Sequence, residues 1–86
     1  MRIEMRQTYL EEAYEPFLQH MRNRLDATQE LRMESNVPRM TAIVQLIRIY
    51  ADTGNTRALV DISNLAMVEF WNPEHPKANY PVIASD

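Results

Sequence analysis

Two small groups of side chains in this sequence are capable of chemistry. The first is acidic: Glu11, Glu12 and Glu15 lie close together, and Asp61 and Asn64 follow far downstream. Helix positions three or four apart share a face, so Glu12 points with Glu15 and Asp61 with Asn64. The second group is Phe70-Trp71-Asn72-Pro73 followed by Glu74-His75-Pro76-Lys77, with Tyr80 close behind. A tryptophan beside a proline-stiffened segment suits an interface anchor, because a rigid aromatic gains contact area at little entropic cost. Phe70, Trp71, His75 and Tyr80 are therefore the candidate partner-binding residues. The alternative is that Trp71 merely closes the end of the core.

Other chemistries fall away on composition. The 86 residues include no cysteine and one glycine, so thiolate catalysis, disulfides, zinc–thiolate sites and glycine-rich phosphate loops are excluded. His20 and His75 are far apart, and a zinc site would need carboxylates to complete it. His20 falls on the flank of the first helix, where a solvated or capping role is expected. Ser35, Ser63 and Ser85 lie in no nucleophile-elbow context. A formal net charge of −3 argues against nucleic acid. A helix-turn-helix reading of residues 38–71 offers only Arg57 as a basic residue in its second helix, too little for phosphates and base edges. No catalytic residue, metal or cofactor is expected from the residues alone.

Two resemblances add to this reading. Glu12-Ala13-Tyr14-Glu15 and Asp61-Ile62-Ser63-Asn64 resemble the paired motifs of the all-α nucleotide pyrophosphatases related to MazG. That family binds magnesium with an E-x-x-E pair on one helix and an E-x-x-D pair on a later one. The resemblance implies a nucleotide-binding or nucleotide-hydrolysing protein using Glu12, Glu15 and Asp61 on magnesium. The sequence departs from the pattern at Ala58, where the family carries glutamate, and at Pro16, where its helix continues. Separately, the stretch from Asp52 to Ala78 looks like small uncharacterised proteins of bacteriophages. It implies a setting, the infected bacterial cytoplasm, without an activity. Small acidic helical phage proteins often act by binding a host enzyme, a defence complex or a signalling nucleotide. Sequestration of a small nucleotide by an oligomer is a further alternative.

The elements that must position these residues are helical. Ile3, Leu10, Tyr14, Phe17, Met21 and Leu25 recur at helical steps and fall within a sector of roughly 80°. Arg6, Glu11, Glu12, Glu15, Arg22, Asp26 and Glu30 solvate the other faces. This predicts a helix of some thirty residues, kinked or broken at Pro16. Ser35-Asn36-Val37-Pro38 stops it and starts the next. From Pro38 to Thr53 apolar residues cover most of the circumference, leaving Thr41, Gln45, Arg48 and Asp52 as one polar strip. Such a helix is expected to be central and buried.

Asp52-Thr53-Gly54-Asn55 then makes a tight turn, with Gly54 suited to the left-handed residue after a helix and Asn55 or Thr56 to the next cap. Residues 56–71 form the partner of an antiparallel hairpin. Leu59, Ile62, Leu65, Ala66 and Phe70 mark one apolar side, and Val60, Met67 and Trp71 another. Arg57, Asp61 and Asn64 mark its polar sector, with Arg57 and Asp61 spaced for an ion pair. Residues 72–86 hold three prolines and read as an extended tail, lying back on the domain through Tyr80 and frayed at its end.

The fold expected is all-α: one helical domain over residues 1–71, with a long first helix packed on the hairpin, and an irregular proline-rich tail over 72–86. Residues 40–71 hold 19 apolar side chains against 15 in residues 1–39. That is more apolar surface than one amphipathic helix can cover, so a second copy or a partner protein is expected. The function read from the sequence is a non-catalytic, self-associating interaction protein. No stretch approaches the ~20 apolar residues of a membrane span and no export signal is visible, so the cytoplasm is the expected compartment.

Overall fold

The computed structural model describes the backbone of residues 7–81 and, within that span, every side chain except those of Tyr9 and residues 30–35. Ile3, Arg6, the side chain of Glu30 and the end of the tail, residues 82–86, lie outside the described residues. The described chain is all-helical. A π-helical turn, Tyr9–Tyr14, leads into helix α1, Glu15–Ser35; α2 is Arg39–Thr53 and α3 is Arg57–Trp71.

Proline explains the wide turn at the start. Pro16 has no N–H, and its ring presses on the carbonyl four residues earlier, that of Glu12. Widening the turn relieves the crowding: the Glu15 N–H bonds to the Leu10 carbonyl, five residues back. The helix therefore runs through Pro16 with a π turn in place of a break.

Both interhelical turns use a left-handed residue. Asn36 (φ 53°) follows α1, and Gly54 (φ 70°) follows α2 with its N–H on the Tyr50 carbonyl at 2.8 Å. Asn is the non-glycine residue that best tolerates this conformation. Asn55 then starts α3, its Oδ1 accepting the Arg57 N–H at 3.0 Å.

Helix α3 is the centre: α1 and α2 each pack against it. This corrects the expectation for residues 38–53. Helix α2 is an outer helix, and its one buried residue is Arg39. Its apolar circumference is only half covered, with Met40, Val44, Ile47, Ile49 and Tyr50 exposed. The face of α3 is corrected too. Asp61 and Asn64, from its polar sector, are buried beside Ala58, Val60 and Leu65, while Ala66 and Phe70, from an apolar side, are exposed. On α1, Phe17, Met21 and Leu25 are partly covered; Leu10 and Tyr14 continue the stripe into solvent.

Gly54 has no atom within 4 Å of where a Cβ would stand, so Gly54→Ala meets only the backbone penalty of a left-handed residue. Its expected cost is about 1 kcal/mol, read as a lower urea midpoint with unchanged helicity.

Candidate functional site

The acidic residues do not converge. Glu12 and Glu15 are exposed, Glu12 in the π turn and Glu15 at the start of α1. Asp61, only 5% exposed, faces Arg24, nine residues beyond Glu15 and thus about 13 Å further along the helix. Arg24 Nε donates to Asp61 Oδ1 at 3.0 Å and Nη2 to Oδ2 at 2.8 Å, a two-point fork. Thr28 Oγ1 lies 3.0 Å from Asp61 Oδ1 and 2.9 Å from the Arg24 carbonyl, so its single proton serves one or the other. One turn further along α3, Asn64 Nδ2 donates to the Met21 carbonyl at 2.8 Å.

The ion pair expected between Arg57 and Asp61 is therefore not the one formed. Burial decides it: Arg57 is exposed, whereas Arg24 brings its charge into the α1–α3 contact. The hydrogen bond to Asp61 raises the pKa of Arg24 against the opposing effect of partial burial. No three metal-binding side chains gather anywhere among the described residues.

A second cluster lies at the other end of the hairpin. Pro38 has no side chain to cap α2, and the carboxylate of Glu74 takes the place: its Oε1 accepts the Arg39 N–H at 2.9 Å. The buried Arg39 side chain donates from Nη1 to Glu69 Oε1 and to the Asn72 carbonyl, both at 2.8 Å, with Nη2 3.5 Å from Glu74 Oε2. Glu69 Oε2 accepts the N–H groups of Glu74 at 3.0 Å and His75 at 3.3 Å. The tail is thus tied to both helices before it turns at residues 75–78, where the Ala78 N–H reaches the His75 carbonyl.

The aromatic candidates surround this anchorage. Phe70 and Tyr80 meet edge to face, ring centroids 5.7 Å apart and planes at 87°. Beside them is a shallow cleft of about 300 Å³ lined by Glu69, Phe70, Pro73, Ala78, Asn79 and Tyr80. Trp71 stands 84% exposed and Phe70 72%. Trp71 therefore does not close the core, and nothing among the described residues covers it. His75 is exposed and has a local role, its Nδ1 accepting the Lys77 N–H at 3.0 Å.

Sequence reasoning missed Arg24, Thr28, Arg39, Glu69 and Glu74. Some of the signal was present. Arg24 and Thr28 fall in phase with Met21 and Leu25, and Arg39 and Glu69 are equally far from Gly54, as partners across a hairpin must be. Comparison with known protein families, curated proteins and solved structures found no match to this chain.

Two outcomes follow from the ion pairs. Asp61→Asn leaves a partly buried guanidinium without its counter-charge and is expected to cost about 2–3 kcal/mol, discounted because the Arg24 side chain is 25% exposed. The double change Arg24→Met with Asp61→Leu is expected to recover most of that loss in chemical denaturation. At Glu69, burial pushes the carboxyl up, but the N–H groups of Glu74 and His75 and the Arg39 guanidinium outweigh it and hold the pKa below its ordinary 4.5. Its contribution is complete above that ordinary value and is lost as pH falls through the lower folded one. Acidification below 4.5 is therefore expected to loosen the tail, seen as a change in tryptophan and tyrosine fluorescence that Glu69→Gln abolishes.

Proposed function

We propose that this chain is a non-catalytic helical interaction protein that associates with itself and offers Phe70, Trp71 and Tyr80 to a second protein. One observation carries the reading: the chain exposes far more apolar surface than its core can justify. Met40, Val44, Ile47, Ile49, Tyr50, Met67, Phe70 and Trp71 all stand exposed on α2 and α3. Among the described residues the buried apolar side chains are Ala58, Val60 and Leu65. So small a core is little to set against the conformational entropy of a folded chain. Covering the outer faces in an assembly supplies what is missing.

The pyrophosphatase alternative draws no comparable support. It needs Glu12, Glu15 and Asp61 around one magnesium ion, and the Asp61 carboxylate is engaged by Arg24 and Thr28. The likeness of residues 52–78 to bacteriophage proteins extends the proposal to an accessory or inhibitory factor acting on a host component in the bacterial cytoplasm. No described helix is long and apolar enough to cross a membrane.

Light scattering across a concentration series is expected to give a mass above the 10.1 kDa of one chain, rising with concentration. A mass fixed at one chain throughout overturns self-association. Magnesium-dependent pyrophosphate release from a nucleotide overturns the non-catalytic part.

A further inference from the structure

The uncovered side of α2 has an order that its composition hides. Met40, Val44, Ile47 and Ala51 are spaced four, three and four residues apart and lie within a sector of roughly 60° on the helix. That spacing is the a/d seam of a heptad, the pattern with which one helix packs along another. All four are exposed, Met40 at 61% and Ile47 at 51%, while Arg39, Ala42, Ile43 and Leu46 turn toward α3. The helix therefore has two apolar sides, and α3 covers one.

We infer that the second side is covered by α2 of another copy of this chain, the two helices running antiparallel across a two-fold axis. This inference rests on the self-association proposed above and names its surface and geometry. Three features single out this occupant. The first is size. Antiparallel pairing about the middle of the seam sets Met40 against the partner's Ala51 and Val44 against the partner's Ile47. Each layer then joins a larger side chain to a smaller one. Parallel pairing would stack Met40 on itself and Ala51 on itself, leaving one layer crowded and the other hollow. The second is charge. Outside the buried Arg39, α2 carries only Arg48 and Asp52, so two copies meet along an electrically balanced face. Opposed helix dipoles add to this.

The third feature is area. The seam leaves Met40 61%, Val44 39% and Ile47 51% exposed, a contiguous apolar strip of the kind that marks an interaction surface. Four side chains from each copy make a small interface, below the standard size of stable complexes. The dimer belongs to the weaker, concentration-dependent class.

Sedimentation equilibrium up to on the order of 100 µM is expected to show a monomer–dimer equilibrium. Ile47→Glu is expected to weaken it by about 100-fold, because one glutamate from each copy would enter the seam unpaired. Circular dichroism of this variant stays unchanged, since Ile47 faces away from α3. Orientation is read independently of that variant. The chain has no cysteine, so Met40→Cys and Ala51→Cys variants carry the only thiols. Oxidising the two together is expected to join position 40 to the partner's position 51. Either variant alone is expected to stay unlinked, because like positions would be about 16 Å apart along the axis. Efficient linking of Met40→Cys to itself overturns the antiparallel arrangement. A dimer that Ile47→Glu leaves intact overturns this seam yet keeps self-association, whereas a wild-type chain that stays monomeric overturns both.

Discussion

The contact on which this fold turns is the fork between Arg24 and Asp61. It joins α1 to the central helix through charge alongside the half-buried Phe17, Met21 and Leu25, with Thr28 against the same carboxylate and Asn64 bonded to the α1 backbone one turn on. A polar contact of this kind has a physical consequence. Its hydrogen bonds demand one geometry, so they specify how α1 lies on α3, but their net contribution to stability is small because both charges must first leave water. The buried apolar side chains of Ala58, Val60 and Leu65 beside it are too few to make the difference up. The structure is well specified in register and thinly stabilised in bulk.

Arg39 plays the corresponding part at the other end of the hairpin. It closes the start of α2 onto the end of α3, and through Glu69, Asn72 and Glu74 it draws the first half of the tail into the same network. The tail caps α2, a task that Pro38 cannot perform. Because that segment is held, Tyr80 can meet Phe70, and the exposed aromatic group at the end of α3 has a defined shape. Helix α2 turns Ala42, Ile43 and Leu46 toward α3, which releases Met40, Val44 and Ile47 to the outer surface. The proposed pairing of two copies uses that released surface.

How much could be read from the residues follows the range of the forces involved. The helices, the turns at Asn36 and Gly54 and the π-accommodated proline are local, decided by backbone sterics within a few residues. They were legible, apart from the widened turn itself. Which side of a helix is buried is not local. Asp61 and Asn64 mark a polar sector on α3 and would face water if α1 offered only hydrocarbon. They face inward because α1 presents Arg24 and Thr28 at the matching height. Ala66 and Phe70 stand exposed on an apolar side of α3 that neither α1 nor α2 covers. The aromatic cluster at Phe70, Trp71 and Tyr80 was legible as a group, because density of unusual side chains is a property of the chain itself. For Trp71 the residues left open whether it anchors an interface or closes the core, and its 84% exposure decides against the core.

The sequence by itself determined an all-helical chain with a hairpin about Gly54, a proline-rich tail and apolar residues concentrated in that hairpin. These follow from periodicity, turn chemistry and counting. Only the tertiary structure decided that α3 is central, that α2 lies outside, and that buried ion pairs hold the helices together. Those choices depend on which side chains arrive opposite one another. A buried charge is tolerated only where its counter-charge stands within hydrogen-bonding reach, and for Asp61 that partner lies 37 residues away.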